Sequence, residues 1–252
     1  MGRLSFFLPL IVLLASGCAS VSTPPPEHDP YERFNRSVYR FNDTLDRAVL
    51  KPVAQGYEKV MPQPVDDSVS NFFSNLDDVT VTLNDLLQGK FHQATSDLSR
   101  LVWNTTLGIG GLFDVATHFG LPKHNEDFGQ TLGAWGVESG PYLVLPFFGP
   151  STFRDTAALP VDWVSEPLYH YYPLDKNGYW QLKGLYYIDQ RAGLLRASRL
   201  MEQAALDEYV FMREAFLQRR QSLVYDGNPP LPDFDLFDEE SEEELPETTP
   251  PQ

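Results

Sequence analysis

Apolar residues recur every three or four positions through most of this chain, but charge interrupts them too often for any stretch to span a bilayer alone. The first stretch places Phe34, Val38, Phe41, Leu45 and Ala48 on one stripe, with Arg33, Arg36, Arg40 and Asp43 on other faces. Its start is marked by Asp29 as a cap, Pro30 at the first helical position and Glu32 three residues after the cap. Pro52 is expected to stop this helix and open a short one through Met61, before Pro62-Gln63-Pro64 breaks the chain again. A longer helix begins near Pro64. Val65, Val69, Phe72 and Leu76 form one stripe, Val79, Leu83, Leu86 and Leu87 a second, and Gly89 is the expected C-terminal stop. Phe91, Ala94, Leu98, Leu101 and Val102 carry the period on to Trp103.

Two segments lose it. Gly108 to Phe113 has too much glycine for a helix interior and reads as a loop or tight helical junction. From Phe128 to Pro150, glycine, proline and aromatic residues leave neither a helical nor a strand period. Two late helices follow, about Tyr179 to Gln203 and Ala205 to Tyr225. The second puts Leu206, Tyr209, Arg213, Phe216 and Arg220 on one face, with basic residues towards its end, where the helix dipole favours them. The pattern predicts an all-α protein, and each stripe can either face a core or lie in a membrane interface.

The N-terminus favours the membrane. Met1-Gly2-Arg3, an apolar run from Leu4 to Leu14 and Ala15-Ser16-Gly17 before Cys18 have the layout of a secretory signal ending in a lipobox. The apolar run is about half the roughly 20 residues a spanning helix needs. Ala15 stands where leucine is commonest in such boxes. Cys18 is the chain's one cysteine and has no internal disulfide partner, so lipidation is its simplest use. Ala19 is not the aspartate that commonly retains lipoproteins in the inner membrane, which predicts the outer membrane, inner leaflet, facing the periplasm. The expected organisation is a signal over 1–17, a lipidated tether over 18–28, a helical body over 29–225 and a disordered acidic, Pro-rich tail over 226–252.

Charge adds an exclusion. The formal net charge is −16, but ten acidic residues and no Lys or Arg lie from Asp226 onward. Without the tail and signal, 25 acidic residues face 18 basic ones, a balance near −7. Such a body lacks the basic footprint of a nucleic-acid binder or of a polybasic reader of anionic lipid.

Enzyme parts do not assemble. Gly136-Val137-Glu138-Ser139-Gly140 misplaces its serine for a nucleophile elbow. His28, His92, His118, His124 and His170 are scattered, without a metal motif. Gly108, Gly110 and Gly111 do not form a nucleotide loop. The adjacent carboxylates Asp77-Asp78 and Glu126-Asp127 read as solvated or capping groups. Neither catalytic residues, a metal nor a cofactor is expected.

Tyr31-Glu32-Arg33-Phe34-Asn35-Arg36 and Tyr39-Arg40-Phe41-Asn42 open a series of segments that continues through Pro62-Gln63-Pro64, Ser70-Asn71-Phe72 and Leu87-Gln88-Gly89. Asn104-Thr105-Thr106-Leu107-Gly108-Ile109-Gly110-Gly111-Leu112-Phe113-Asp114, Asp127-Phe128-Gly129-Gln130-Thr131-Leu132-Gly133, Gly140-Pro141-Tyr142 and Phe148-Gly149-Pro150-Ser151 extend it. In these segments, from about Asp29 to Leu223, the chain resembles the MlaA family, also called VacJ, of outer-membrane lipoproteins. The resemblance implies a ring of mostly horizontal amphipathic helices in the inner leaflet of the outer membrane around a central amphipathic channel, through which phospholipids mislocalised in the outer leaflet are removed. Its implied partners are phospholipid, trimeric porins and the periplasmic lipid carrier MlaC. Phe34, Asn35, Phe41, Asn42, Gly110, Gly111, Phe128 and Gly129 become candidate channel or hinge residues because they match the family's pattern, with core packing as the alternative for each. A structural lipoprotein that braces porins without moving lipid is the competing function, and a lipid hydrolase a more distant one.

Overall fold

The computed structural model describes residues 28–170 and 176–230. Cys18, its tether up to Glu27 and the tail from Leu231 lie outside the described residues. Helices dominate, in the order α1 (Glu32–Leu45), α2 (Lys51–Val60), α3 (Gln63–Gln88), α4 (Phe91–Thr106), α5 (Val115–His118) and α6 (Phe128–Ala134). A hairpin, β1 (Tyr142–Leu145) and β2 (Gly149–Thr152), follows, then α7 (Phe153–Ser165), α8 (Pro167–His170), α9 (Lys176–Gly193), α10 (Leu195–Ala204) and α11 (Glu208–Val224). Among the described residues no helix is long and apolar enough to cross a membrane.

Several expectations are corrected here. Pro52 does not break the first helix: a π-helical turn over Asp46–Leu50 joins α1 directly to α2. The wider turn lets the chain remain helical around a residue that has no N–H to donate. Asp29 is not the cap of α1; Tyr31 holds that position without a side-chain bond, and the Asp29 carboxylate is buried. The stretch from Phe128 to Pro150 is more ordered than its lost period implied, containing α6 and β1, with β2 beginning at Gly149. In the hairpin Tyr142 pairs with Thr152 and Leu145 with Gly149, antiparallel. The late helix from Tyr179 is divided at Leu194. No basic residue occupies the last turn of α11, so the expected dipole role lapses; Arg220 bonds carboxylates instead. Gly89 does end α3, in the left-handed conformation at φ +76°.

α3 packs along α4 as the most extensive helix pair, α9 lies on α2 and α3, α6 rests on α7 and α11, and α1 lies on the hairpin. Polar links bind these neighbours. Arg191 of α9 donates to both oxygens of Asp46 at 2.7 and 2.8 Å, and Ser70 Oγ donates to Asp189 at 2.8 Å. The one buried apolar cluster among the described residues is small: Tyr142, Val144 and Tyr209, backed by Val38, Tyr39, Val210, Phe216 and Leu217.

That small cluster reflects an inversion. Among the described residues, nineteen polar or charged residues are buried against eleven hydrophobic ones, while thirty-five large hydrophobic residues are exposed. The α1 stripe shows it directly: Phe34 and Phe41 are exposed, whereas Asn35 is buried.

Candidate functional site

The polar interior is built on α3 and α4. Asn75, Asp78, Thr82 and Asp85 recur at helical spacing and are buried, while Leu83, Leu86 and Leu87 on the other side are exposed. On α4, Asp97, Arg100 and Asn104 are buried and Leu98, Val102 and Trp103 exposed. Arg100 is 1% exposed. Its Nη1 donates to Thr117 Oγ1 at 3.0 Å and to the Leu121 carbonyl at 2.5 Å, its Nη2 to Asp114 at 3.1 Å, and its Nε lies 3.7 Å from Asp78. Lys123 Nζ donates to the other Asp78 oxygen at 2.6 Å. Burial works to raise the Asp114 carboxyl, but bonds from the Thr117 hydroxyl and amide, Arg100 and Asn104 hold it down at about 2.

Asp85 is the opposite case. Fully buried beside Asp97, it is pushed up to about 8 by burial and by the close approach and charge of that second carboxyl. Asp97 in turn meets His124 Nδ1 at 2.8 Å. A carboxyl raised from its ordinary range binds more protons folded than unfolded, so folding stability falls as pH climbs from about 4 to about 8. Asp85→Asn mimics the protonated acid. It is expected to stabilise the chain increasingly across that window and level off above it; denaturant melts from pH 5 to 9 check this, and a pH-independent difference would refute it.

A second polar centre adjoins the first. Glu126 is buried and accepts from Gln88 at 2.8 Å and Lys90 at 3.1 Å. Asp127 caps α6 through the Gln130 amide, at 2.8 Å, and accepts from both Arg220 terminal nitrogens; Arg220 also reaches Asp155 at 2.8 Å. Between these groups, α7 and α9 lies a cavity of about 260 Å³. Among the described residues its wall carries Asp77, Glu126, Asp127, Asp162 and Glu166, the cation of Lys183, which bonds Glu166, and the rings of Phe73, Trp163 and Tyr186. Asp162 is raised to about 6 by burial, against the lowering effect of the Phe128 amide that bonds it at 2.9 Å. Such a wall can keep a charged or dipolar group solvated inside a body whose outside is apolar.

None of the eight candidate channel or hinge residues lines this cavity. Asn35 is buried and donates to Asp29 at 2.8 Å and the Tyr142 carbonyl at 3.0 Å, while accepting from the Val144 amide at 2.9 Å. Tyr209 and Arg213 complete the shell of Asp29, at 2.5 and 3.0 Å, so α1, β1 and α11 meet on one carboxylate. Asn42 donates to the Leu145 carbonyl and accepts from the Phe147 amide, both at 2.9 Å. Phe34 projects outward, and Phe41 meets Phe147 edge to face at 5.3 Å. Gly110 and Gly111 have φ of +70° and +91°, and a side chain at Gly111 would collide with Asn75. Phe128 packs on Trp135, and Gly129 is enclosed by Asp155, Arg220 and Asp127.

Asp78, Asp85, Asp97, Arg100 and Glu126 belong to the polar interior without any motif in the sequence that marks them. Asp78 and Glu126 had been expected in solvent or at caps; both are buried. The available signal was that polar residues in α3 and α4 repeat at helical spacing as faithfully as the leucines. Among the described residues no group of three or more His, Cys, Asp or Glu side chains is placed to hold a metal ion.

An apolar exterior, a polar interior and a wall able to shelter charge define a helical protein whose burial is the inverse of one folded around an apolar core. The comparisons agree: the MlaA lipoprotein family profile matches residues 27–223, and the chain belongs to that family. It is 38% identical to the intermembrane phospholipid transport system lipoprotein MlaA of Shigella flexneri, covering 87% of this chain and 88% of the relative. The corresponding protein of Haemophilus influenzae is 32% identical, covering 86% and 89%. A solved structure from work on the structural basis for maintenance of bacterial outer membrane lipid asymmetry superposes with a TM-score of 0.67 and 34% identity. It covers 79% of this chain and 99% of that one.

Proposed function

We propose that this lipoprotein lies in the inner leaflet of the outer membrane, lipidated at Cys18. There it removes phospholipids misplaced in the outer leaflet and passes them to a soluble periplasmic carrier of the MlaC kind, beside a trimeric porin. The inverted burial carries the reading. Exposed apolar side chains on nearly every helix suit hydrocarbon, which removes the cost they would meet in water, whereas a porin brace needs only one docking patch. The polar interior supplies what a headgroup requires on its way across, since an unpaired charge in hydrocarbon is very costly. The roles of the eight candidate residues in gating or lining such a passage belong to the same proposal, with Asn35 and Asn42 acting by holding the hairpin.

Deleting the gene and labelling surface phospholipid with an impermeant amine-reactive dye is the direct test. A several-fold rise in labelled lipid is expected. Unchanged surface lipid with altered porin abundance would sink the transport reading in favour of the brace. Cys18→Ala is expected to lower outer-membrane recovery while the periplasmic form retains affinity for membranes; unchanged processing and recovery would refute the anchor.

A further inference from the structure

Two bulky apolar residues occupy left-handed backbone that L side chains rarely adopt: Ile109, at φ +54°, and Phe147, at φ +68°. Glycine or asparagine would sit there at little cost, and a β-branched residue is the least suited of all. Both side chains nevertheless point outward, 66% and 70% exposed. Phe147 meets the ring of Phe41 edge to face, but Phe41 is itself an exposed residue, so the contact does not draw Phe147 into the interior.

Asparagines lock both tips in place. At the hairpin, Asn42 brackets the turn through the Leu145 carbonyl and Phe147 amide. At the other tip the Gly111 amide donates to the Asn104 carbonyl at 2.9 Å, Asn71 reaches the Leu112 carbonyl at 3.4 Å, and Gly111 presses against Asn75. Neither tip carries a hydrogen-bonding side chain: 107–113 reads Leu, Gly, Ile, Gly, Gly, Leu, Phe, and 146–150 reads Pro, Phe, Phe, Gly, Pro. A protein partner would be met by an apolar centre with a polar rim. Hydrocarbon asks for no rim.

We propose that Ile109 and Phe147 are rigid apolar pegs seated among the acyl chains of the bilayer, fixing how the body sits in its leaflet. This rests on the membrane-embedded reading above. The strain persists because each side chain acts outside the protein. A flexible loop would lose the same apolar contact to conformational freedom; a locked one orients the helices attached to it.

Cys18 is the only cysteine, so a Cys18→Ala background accepts single labels. Ile109→Cys, Phe147→Cys and, at an exposed arginine of α11, Arg219→Cys chains would carry bimane. They would be mixed with phosphatidylethanolamine and phosphatidylglycerol vesicles holding nitroxides within the acyl chains. Quenching at 109 and 147 at least about twofold above that at 219 is expected. Ile109→Asn, unlabelled in the same background, should melt at the same or a higher temperature yet bind the vesicles about tenfold more weakly. Vesicle binding by the Cys18→Ala chain with no excess quenching at either tip would overturn the pegs and leave the embedded reading intact. So would an Ile109→Asn chain that melts lower or binds undiminished. Absence of vesicle binding by the Cys18→Ala chain itself would overturn both.

Discussion

Arg100→Met is expected to remove a large share of the protein's folding stability. The guanidinium is the junction of α4, the segment from Asp114 to Leu121 and α3, and its removal takes from Asp114 its charged donor and from the Leu121 carbonyl its side-chain donor, and leaves Asp78 with Lys123 as its cation. Breaking a buried ion pair from one side costs about 3–5 kcal/mol, against roughly 5–15 kcal/mol for a whole domain. Methionine fills similar volume, so the loss reports charge and hydrogen bonding rather than a cavity. Arg100→Lys should rescue poorly, because one ammonium cannot reach acceptors that a planar fork spans. Denaturant unfolding in detergent checks this. A midpoint within experimental error of the parent would mean that water already satisfies the seam.

Gly111→Val comes second. Two independent costs coincide there: φ of +91°, and a Cβ that would fall 2.6 Å from Asn75 Cβ, on the buried face of α3. Neither atom ends a flexible side chain, so α3 or the loop must shift, and a loss on the order of 3 kcal/mol is expected. Gly110 next door provides the control. Its φ is +70° but open space surrounds its Cβ position, so Gly110→Ala should cost only about 1 kcal/mol of backbone strain. Equal losses at the two positions would show that conformation, not the close approach to Asn75, decides this loop.

The seam also gives acid and alkaline limits of opposite sign. Asp114, depressed to about 2, contributes stability above its ordinary range that is lost as pH falls towards 2. Asp85, raised to about 8, acts in the other direction. Both groups belong to the buried polar residues around α3 and α4, yet the first is surrounded by donors and the second faces another carboxyl.

Helix periodicity was legible wherever it was unbroken: the end of α3 at Gly89 and the glycine junction after α4 follow from local rules about positive φ and helix propensity. Pro52 misled because a π turn is a local adjustment that depends on the neighbours of α1 and α2, with Arg191 drawing Asp46 towards α9. The hairpin was hidden for a related reason. Its strands have four residues each, too short for a period of two to stand out, and Asn35 and Asn42 of α1 bond its backbone from more than 100 residues away.

Amphipathicity belonged to the sequence alone, as did the lipobox, the acidic tail and the family pattern, because each is written in residue type and spacing along one chain. The direction of the stripes did not. A helix with Leu83, Leu86 and Leu87 on one side and Asp78, Thr82 and Asp85 on the other satisfies the same periodicity whether the leucines face inward or outward. Only the tertiary structure decides, since polar groups become a tolerable interior when donors from other segments, Arg100, Lys123 and Arg220, converge on Asp114, Asp78 and Asp127.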